Sequence, residues 1–159
     1  MFVAGLRAHL WASRLAVPLM LPHRRGLIVS TLAWDREKYL LNVSYDVAMH
    51  AIRRTIYGLA LELRAHGIAA VAVAPGSMRT KRVLAVPAED WPGGVVDLST
   101  TESPEYVGRA VAALAADPDV MQRSGRAFAV GDLALEYGFT DVDGRQIPAF
   151  RIPDEYLMD

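Results

Sequence analysis

The spacing of apolar residues along this chain predicts alternating helices and strands. Between residues 42 and 65, apolar positions recur every three or four residues, which is typical of a helix that buries one face. They are Val47, Ala48, Ala51, Ile52, Ile56, Leu59, Ala60 and Leu63. Gly67 is predicted to end this helix, because glycine readily takes the left-handed conformation of a C-terminal cap. The continuous apolar run 68–74 then predicts a strand that is buried on both faces.

Shorter segments extend the pattern towards both termini. Residues 2–21 predict an amphipathic helix, and residues 27–31 predict a short buried strand. A polar and aromatic loop, 32–41, leads into the long helix. After residue 80 the pattern predicts a short helix over 81–86, an irregular loop over 87–101, a helix from Ser103 as N-cap to Ala116, a strand over 126–130 and a helix over 132–137.

This order of elements predicts an α/β fold in a single domain, residues 1–159. A helix that connects two buried strands of this kind forms a right-handed crossover between parallel strands. We therefore expect three layers, in which a parallel sheet of about three strands is flanked by helices on both faces. A chain of this length is long enough to bury a substantial core.

Composition narrows the classes of partner. Hydrophobic residues make up 52% of the chain and the formal net charge is -1, so neither nucleic acid nor an anionic membrane is expected as a partner. Arg7, His9 and Arg14 interrupt the apolar N-terminal segment, which argues against a spanning helix or a secretory signal. The chain has no cysteine and its four histidines lack paired ligand spacing, so no metal site is expected. A cytoplasmic location is the default expectation.

Two motifs carry a resemblance to a known family. Tyr45 opens the long helix, and the strand 68–74 ends in Pro75-Gly76-Ser77-Met78-Arg79-Thr80. This arrangement resembles the second half of short-chain dehydrogenase/reductase enzymes, whose pattern is Tyr-x-x-x-Lys on the helix and Pro-Gly-x-x-x-Thr after the next strand. The segments AGLRAHLWASRLAVPLML and GLIVST also resemble the helix and strand that precede these motifs in the family.

The resemblance implies a fold, a cofactor and a set of site residues. The fold is a partial Rossmann-like sheet, and the cofactor is NAD or NADP. Tyr45 corresponds to the catalytic general acid or base, while Pro75, Gly76 and Thr80 correspond to cofactor-binding positions. In this family the helices that match 2–21 and 44–65 commonly pair between subunits, so a homodimer is expected. The substrate is a small molecule that the sequence does not identify.

Three positions depart from the family pattern. The residue four after Tyr45 is Met49, where the family has a lysine that lowers the tyrosine pKa and holds the cofactor ribose. The catalytic serine position falls near Leu32 or Ala33, and a helical asparagine position falls at Gly5. Replacements for these groups are limited to Ser30 or Thr31, in a shifted register, and to Arg53 reaching back towards Tyr45.

The Gly-rich turn that receives the pyrophosphate in dinucleotide-binding folds has no match in this sequence. We therefore expect the chain to correspond to the C-terminal half of a family domain, lacking the N-terminal dinucleotide-binding half and leaving strand 27–31 with a bare edge. Two interpretations remain. The first is a truncated or degenerate NAD(P)-dependent oxidoreductase, weakly active or inactive alone. The second is a non-catalytic dimerisation or interaction module.

Overall fold

Six α-helices and three β-strands follow one another along the part of the chain that the structure describes. The computed structural model describes residues 2–36, 38–87 and 98–152. After a π-helical turn at Val3–Arg7 come α1 (Ala8–Met20), β1 (Gly26–Thr31), α2 (Val43–Leu63), β2 (Ile68–Ala74), α3 (Lys81–Leu84), α4 (Pro104–Ala116), α5 (Val120–Arg123), β3 (Ala127–Ala129) and α6 (Val130–Tyr137).

The three described strands form one parallel sheet in the order β1-β2-β3. Gly26 pairs with Ile68 at one end of the β1–β2 ladder, and Thr31 pairs with Val73 at the other. Every residue of β2 is buried, because this strand lies between the other two and is covered on both faces. The fold class predicted from the sequence is thereby confirmed.

Two apolar clusters hold helices against opposite faces of the sheet. On one face, Ile52 and Ile56 of α2 pack with three of the four alanines of β2, and residues of α1 lie at the edge of this cluster. On the other face, Val71 and Val73 pack against α4 and α6. Full burial of an isoleucine side chain contributes roughly 2 kcal/mol, so the apolar stripe of α2 is a main source of stability.

Local interactions explain where α2 begins and where the chain turns after it. The Asn42 side chain accepts a hydrogen bond from the Tyr45 N–H at 3.1 Å and caps the helix N-terminus. A 3₁₀ turn ends at Gly67, whose φ is +69°. A Cβ atom at Gly67 would lie 2.1 Å from the Arg24 carbonyl oxygen, so only glycine fits this turn.

Several details differ from the sequence-based expectations. The short helix α5 was not predicted. Ser103 precedes α4 as expected, but its side chain makes no capping bond and instead donates to Asp141. Of the apolar residues in the predicted amphipathic helix 2–21, Leu6 and Val17 pack on the core while Leu10 is exposed. The strand over 126–130 shortens to β3, and most of the predicted loop 87–101 lies outside the described residues.

Candidate functional site

Tyr45 is the third residue of α2 and lines a cavity at the carboxyl ends of β1 and β2. The cavity has a volume of about 540 Å³, which is in the range of small-molecule sites. Its walls come from the loop after β1, the start of α2, the loop after β2 and the segment 149–152. The lining residues are Ala33, Trp34, Tyr39, Leu40, Leu41, Tyr45, Pro75, Gly76, Ser77, Phe150 and Ile152.

A second, smaller cavity of about 280 Å³ also includes Tyr45 in its wall. Tyr45, Ala33, Pro75 and Gly76 line both cavities. The smaller one additionally contains Thr31, Leu32, Met49 and Met78. The phenol therefore belongs to a continuous crevice whose other wall is the Pro-Gly loop, as expected for motifs that follow neighbouring parallel strands.

Met49 lies in the smaller cavity and packs against the core under α2. Its sulfur accepts a hydrogen bond from the Ala33 N–H at 3.3 Å. Burial raises the pKa of the Tyr45 phenol above its ordinary 10. The phenol is therefore protonated at neutral pH and can donate a hydrogen bond, but it is a poor base.

The positions near the expected serine carry no hydroxyl. Leu32 is buried and Ala33 lines the cavities. Of the two hydroxyls upstream, Ser30 is buried in β1 while Thr31 lines the smaller cavity beside Tyr45. Thr31 is therefore the strand hydroxyl that the structure brings to the crevice.

Arg53, which the sequence offered as a replacement for the family lysine, contacts an aromatic side chain. The Arg53 guanidinium lies 5.7 Å from the centroid of the Trp34 ring, a distance typical of a cation–π contact. His50 lies 3.8 Å from the Asp46 carboxylate. Trp34 in turn lines the larger cavity, so Arg53 contacts the cavity wall.

The predicted cofactor-binding residues divide into two groups. Pro75 and Gly76 line both cavities next to Tyr45. Thr80 lines neither described cavity, and its hydroxyl caps α3 by accepting a hydrogen bond from Val83 N–H at 3.2 Å. A cofactor in the crevice would therefore meet Pro75, Gly76 and Ser77 first.

Beneath the loop 75–80 lies a buried polar cluster that sequence reasoning missed. Glu102 is only 1% exposed, and its Oε2 atom lies against Gly76, whose N–H favours the ionised carboxyl group. Its backbone N–H donates to Ser77 O at 2.9 Å, and its carbonyl accepts from Arg79 N–H at 2.8 Å. Glu102 thus contacts three loop residues.

Arg79 and Asp141 complete this cluster. Asp141 is buried and accepts hydrogen bonds from Ser103 N–H and from Arg79 Nη2, at 2.8 and 2.9 Å. Burial alone would raise the pKa of Asp141, but its bonds to Ser103 and Val142 and the Arg79 charge lower it overall. The turn Asp141-Val-Asp-Gly144 therefore anchors the loop.

The segment 149–152 forms one wall of the larger cavity. Phe150 and Ile152 line it, and the Asp35 carboxylate accepts a hydrogen bond from the Ile152 N–H at 2.6 Å. Lys38 donates to the Ile152 carbonyl oxygen and lies 3.7 Å from Asp35. No short sequence motif predicts these contacts with Ile152, because the residues that make them are more than a hundred positions apart in the chain.

Neither a metal-ligand cluster nor a membrane-spanning helix occurs in the described residues. Histidine and acidic side chains in 2–36, 38–87 and 98–152 form no group of three that could hold a metal ion. In the same residues, no helix combines the length and apolar character needed to cross a bilayer.

Comparison with known proteins places the chain in a family. The model of the short chain dehydrogenase family matches residues 1–90. The chain belongs to this family. Short-chain dehydrogenases generally use NAD or NADP as cofactor, and this chain is of that oxidoreductase lineage.

Two relatives carry the same name. The chain is 38% identical over 150 residues to Dehydrogenase/reductase SDR family member 1 of Mus musculus and 35% identical to the Homo sapiens protein of that name. Each match covers 90% of this chain and 48% of the relative. The chain thus spans about half the length of the curated relatives it matches.

Solved structures of short-chain dehydrogenases share the fold. Acetoin dehydrogenase from Enterobacter cloacae superposes with a TM-score of 0.63 at 26% identity, over 80% of this chain and 50% of that protein. A short chain dehydrogenase from Mycobacterium thermoresistibile gives a TM-score of 0.68 at 23% identity, over 91% and 52%. The likeness confirms the Rossmann-like arrangement of the three described strands.

Proposed function

We propose that this chain supplies the tyrosine side of an NAD(P)-dependent oxidoreductase site and is weakly active or inactive by itself. The observation that carries the proposal is the shared crevice of Tyr45 and the Pro75–Ser77 loop at the carboxyl ends of parallel strands. A substrate carbonyl or hydroxyl in this crevice would meet the Tyr45 phenol as a hydrogen-bond donor.

The residues present fit one end of the cofactor. The larger cavity has apolar walls and a backbone loop, which suit a nicotinamide ring, whereas the sequence has no Gly-rich turn for the pyrophosphate. When bound, the nicotinamide supplies or accepts the hydride. Pro75, Gly76 and Ser77 would hold it beside Tyr45, while Met49 offers the ribose neither charge nor a donor.

A binding experiment tests this proposal. NADH is titrated into ¹⁵N-labelled protein, with ADP-ribose as the matched probe that lacks nicotinamide. We expect weak NADH binding that shifts the Gly76 and Ser77 amides, and tighter binding by Met49→Lys. ADP-ribose should leave those amides in place. If both probes leave the Gly76 and Ser77 signals unchanged in folded wild type and Met49→Lys, the proposal is wrong.

A second candidate function is self-association through α1 and α2. Large apolar side chains stay exposed on these helices: Leu10, Trp11, Leu15, Leu19, Val47, Tyr57 and Leu61. Between the two helices lies a groove of about 490 Å³, whose wall includes Arg14 from α1 and Glu62 from α2. A second copy, related by a two-fold axis, would offer the same apolar surface and the opposite charges.

Sedimentation measurements test this second candidate. We expect a dimer for the wild type and a monomer for Leu15→Glu combined with Leu61→Glu. Leu135→Glu is the matched control, because Leu135 is 65% exposed on α6 and should leave the dimer intact. A wild-type monomer at high micromolar concentration would contradict this function.

The cytoplasmic location stays a prediction that cell fractionation can check.

A further inference from the structure

The loop 75–80 is held by a carboxyl group that no proposed chemical step uses. Glu102 immediately precedes the N-cap of α4, and its main chain pairs with Met78 in a single parallel bridge. The side chain reaches further back, and its Oε2 atom lies against Gly76, whose N–H favours the ionised carboxyl group. Gly76 is also the residue that lines both cavities beside Tyr45.

The buried carboxyl group of Glu102 is incompletely hydrogen-bonded. Its Oε1 atom is buried without a hydrogen-bond partner in the described part of the chain. Such an atom is rare in a folded protein and is often found where a group has a functional role. Arg79 is the cation that faces Glu102, and Arg79 also bonds to Asp141 and Asp143.

We propose that Glu102 is the positioning residue of the loop 75–80, and that its protonation state sets how firmly the Gly76 amide is held at the wall of the Tyr45 crevice. The ionised carboxylate is the stronger acceptor for the Gly76 N–H. The protonated group is the form that burial prefers. Proton binding at Glu102 therefore loosens a backbone amide that faces the site.

The groups that face Glu102 from each neighbouring element agree with this reading. The pKa of Glu102 is raised to about 7, because burial and the Asp141 charge raise it by more than the Gly76 N–H and the Arg79 charge lower it. Burial and the Glu102 charge raise the pKa of Tyr106 in α4, whose hydroxyl donates a hydrogen bond to Ile147 O at 3.0 Å. The balance places the transition within the neutral range.

The expected effect of Glu102 on nucleotide binding rests on the proposed function. Its expected effect on the position of the loop 75–80 does not. The NADH affinity should change with the same pH midpoint as the Gly76 amide. If NADH binds no variant while the Gly76 amide still follows Glu102, the proposed function fails and the positioning role stands. If NADH binds but the Gly76 amide ignores Glu102, the positioning role is overturned.

The test follows the Gly76 amide of the full chain by NMR from about pH 5.5 to about pH 8.5. We expect the wild-type signal to titrate with a midpoint near 7. Glu102→Gln should abolish the titration and hold the protection of the Gly76 amide at the level of the wild type at low pH, because the neutral glutamine oxygen is a weaker acceptor than a carboxylate. Glu102→Ala should lower that protection by about tenfold.

The control variant is Glu105→Gln, which removes the same charge from an exposed residue in the first turn of α4. It should titrate like the wild type. A wild-type Gly76 signal that is flat over this pH range overturns the proposal, as does an unchanged titration in Glu102→Gln. Should Glu102→Ala fail to fold, the wild type and Glu102→Gln decide the question.

Discussion

The sulfur of Met49 accepts a hydrogen bond from the backbone N–H of Ala33 at 3.3 Å. Position 49 corresponds to the lysine of the short-chain dehydrogenase pattern, and the serine of that pattern falls near Leu32 or Ala33. Met49 is therefore in direct contact with one of the two residues near the expected serine. A thioether at position 49 accepts this amide bond, which a lysine ammonium, having only donors, could not.

Restoring the lysine should lower the pKa of Tyr45. The wild-type phenol should titrate above 10, because burial opposes the phenolate. A cation at position 49 lies one turn along the same face of α2 and should lower this pKa by about one to three units. The measurement is phenolate absorbance against pH, with Tyr45→Phe identifying the signal.

His50→Lys is the matched control for that experiment, because it adds a cation one residue further along, where the side chain pairs with Asp46. It should leave the Tyr45 titration in place. A Met49→Lys protein that folds and keeps the wild-type titration would show that positions 45 and 49 do not share a site.

Glu102→Gln should change how stability depends on pH. The pKa of Glu102 is raised to about 7 from an ordinary 4.5, so folding favours the protonated group. Its contribution to stability is complete below about pH 4.5 and is lost as the pH rises through about 7. At about 1.4 kcal/mol per unit, the loss is at most roughly 3 kcal/mol. Urea unfolding of wild type and variant at pH 5 and pH 8 measures it.

Asp141→Ala should destabilise the protein by about 3 kcal/mol, because it removes the buried partner of Arg79 and of the Ser103 N–H. Asp143→Ala removes a longer and more exposed contact to the same arginine, at 3.3 Å, and should cost less than about 1 kcal/mol. Because the pKa of Asp141 is lowered, its contribution should also disappear as the pH falls through that lowered value. Equal costs for the two variants would contradict the buried anchor.

Asp35→Ala should release the wall formed by the segment 149–152. The Ile152 N–H loses its acceptor, and we expect its exchange with solvent to rise by about tenfold. Asp132→Ala is the control, since it removes an exposed ion pair with Arg151 in the same segment. It should have little effect on exchange at Ile152. Hydrogen exchange with mass spectrometry distinguishes the two.

Gly67→Ala and Gly138→Ala should differ although both glycines have similar φ, at +69° and +72°. A methyl group at Gly138 meets open space, whereas at Gly67 it meets the Arg24 carbonyl at 2.1 Å. We expect a cost of about 1 kcal/mol at Gly138 and clearly more at Gly67. Thermal unfolding compares them, and a Gly67 cost no larger than the Gly138 cost would rule out the contact.

Much of the fold and part of the site could be predicted from the order of residues. The period of α2, the stop at Gly67 and the apolar run of β2 are local signals, since each depends on neighbours within a few residues. Tyr45 and Pro75 could be placed in one crevice, because parallel strands end at the same edge of a sheet. The departure at Met49 could be recognised because the family pattern that the sequence resembles has a lysine four residues after the tyrosine.

Only the tertiary structure decided what surrounds that crevice. Arg79 and Asp141 are 62 residues apart and Asp35 and Ile152 are 117 apart, so no local period links them. Glu102 reads as an ordinary exposed acid in the sequence, yet chain folding buries it under the Pro-Gly loop. Local interactions determine the elements, whereas burial and pairing of distant polar groups arise only when the elements pack.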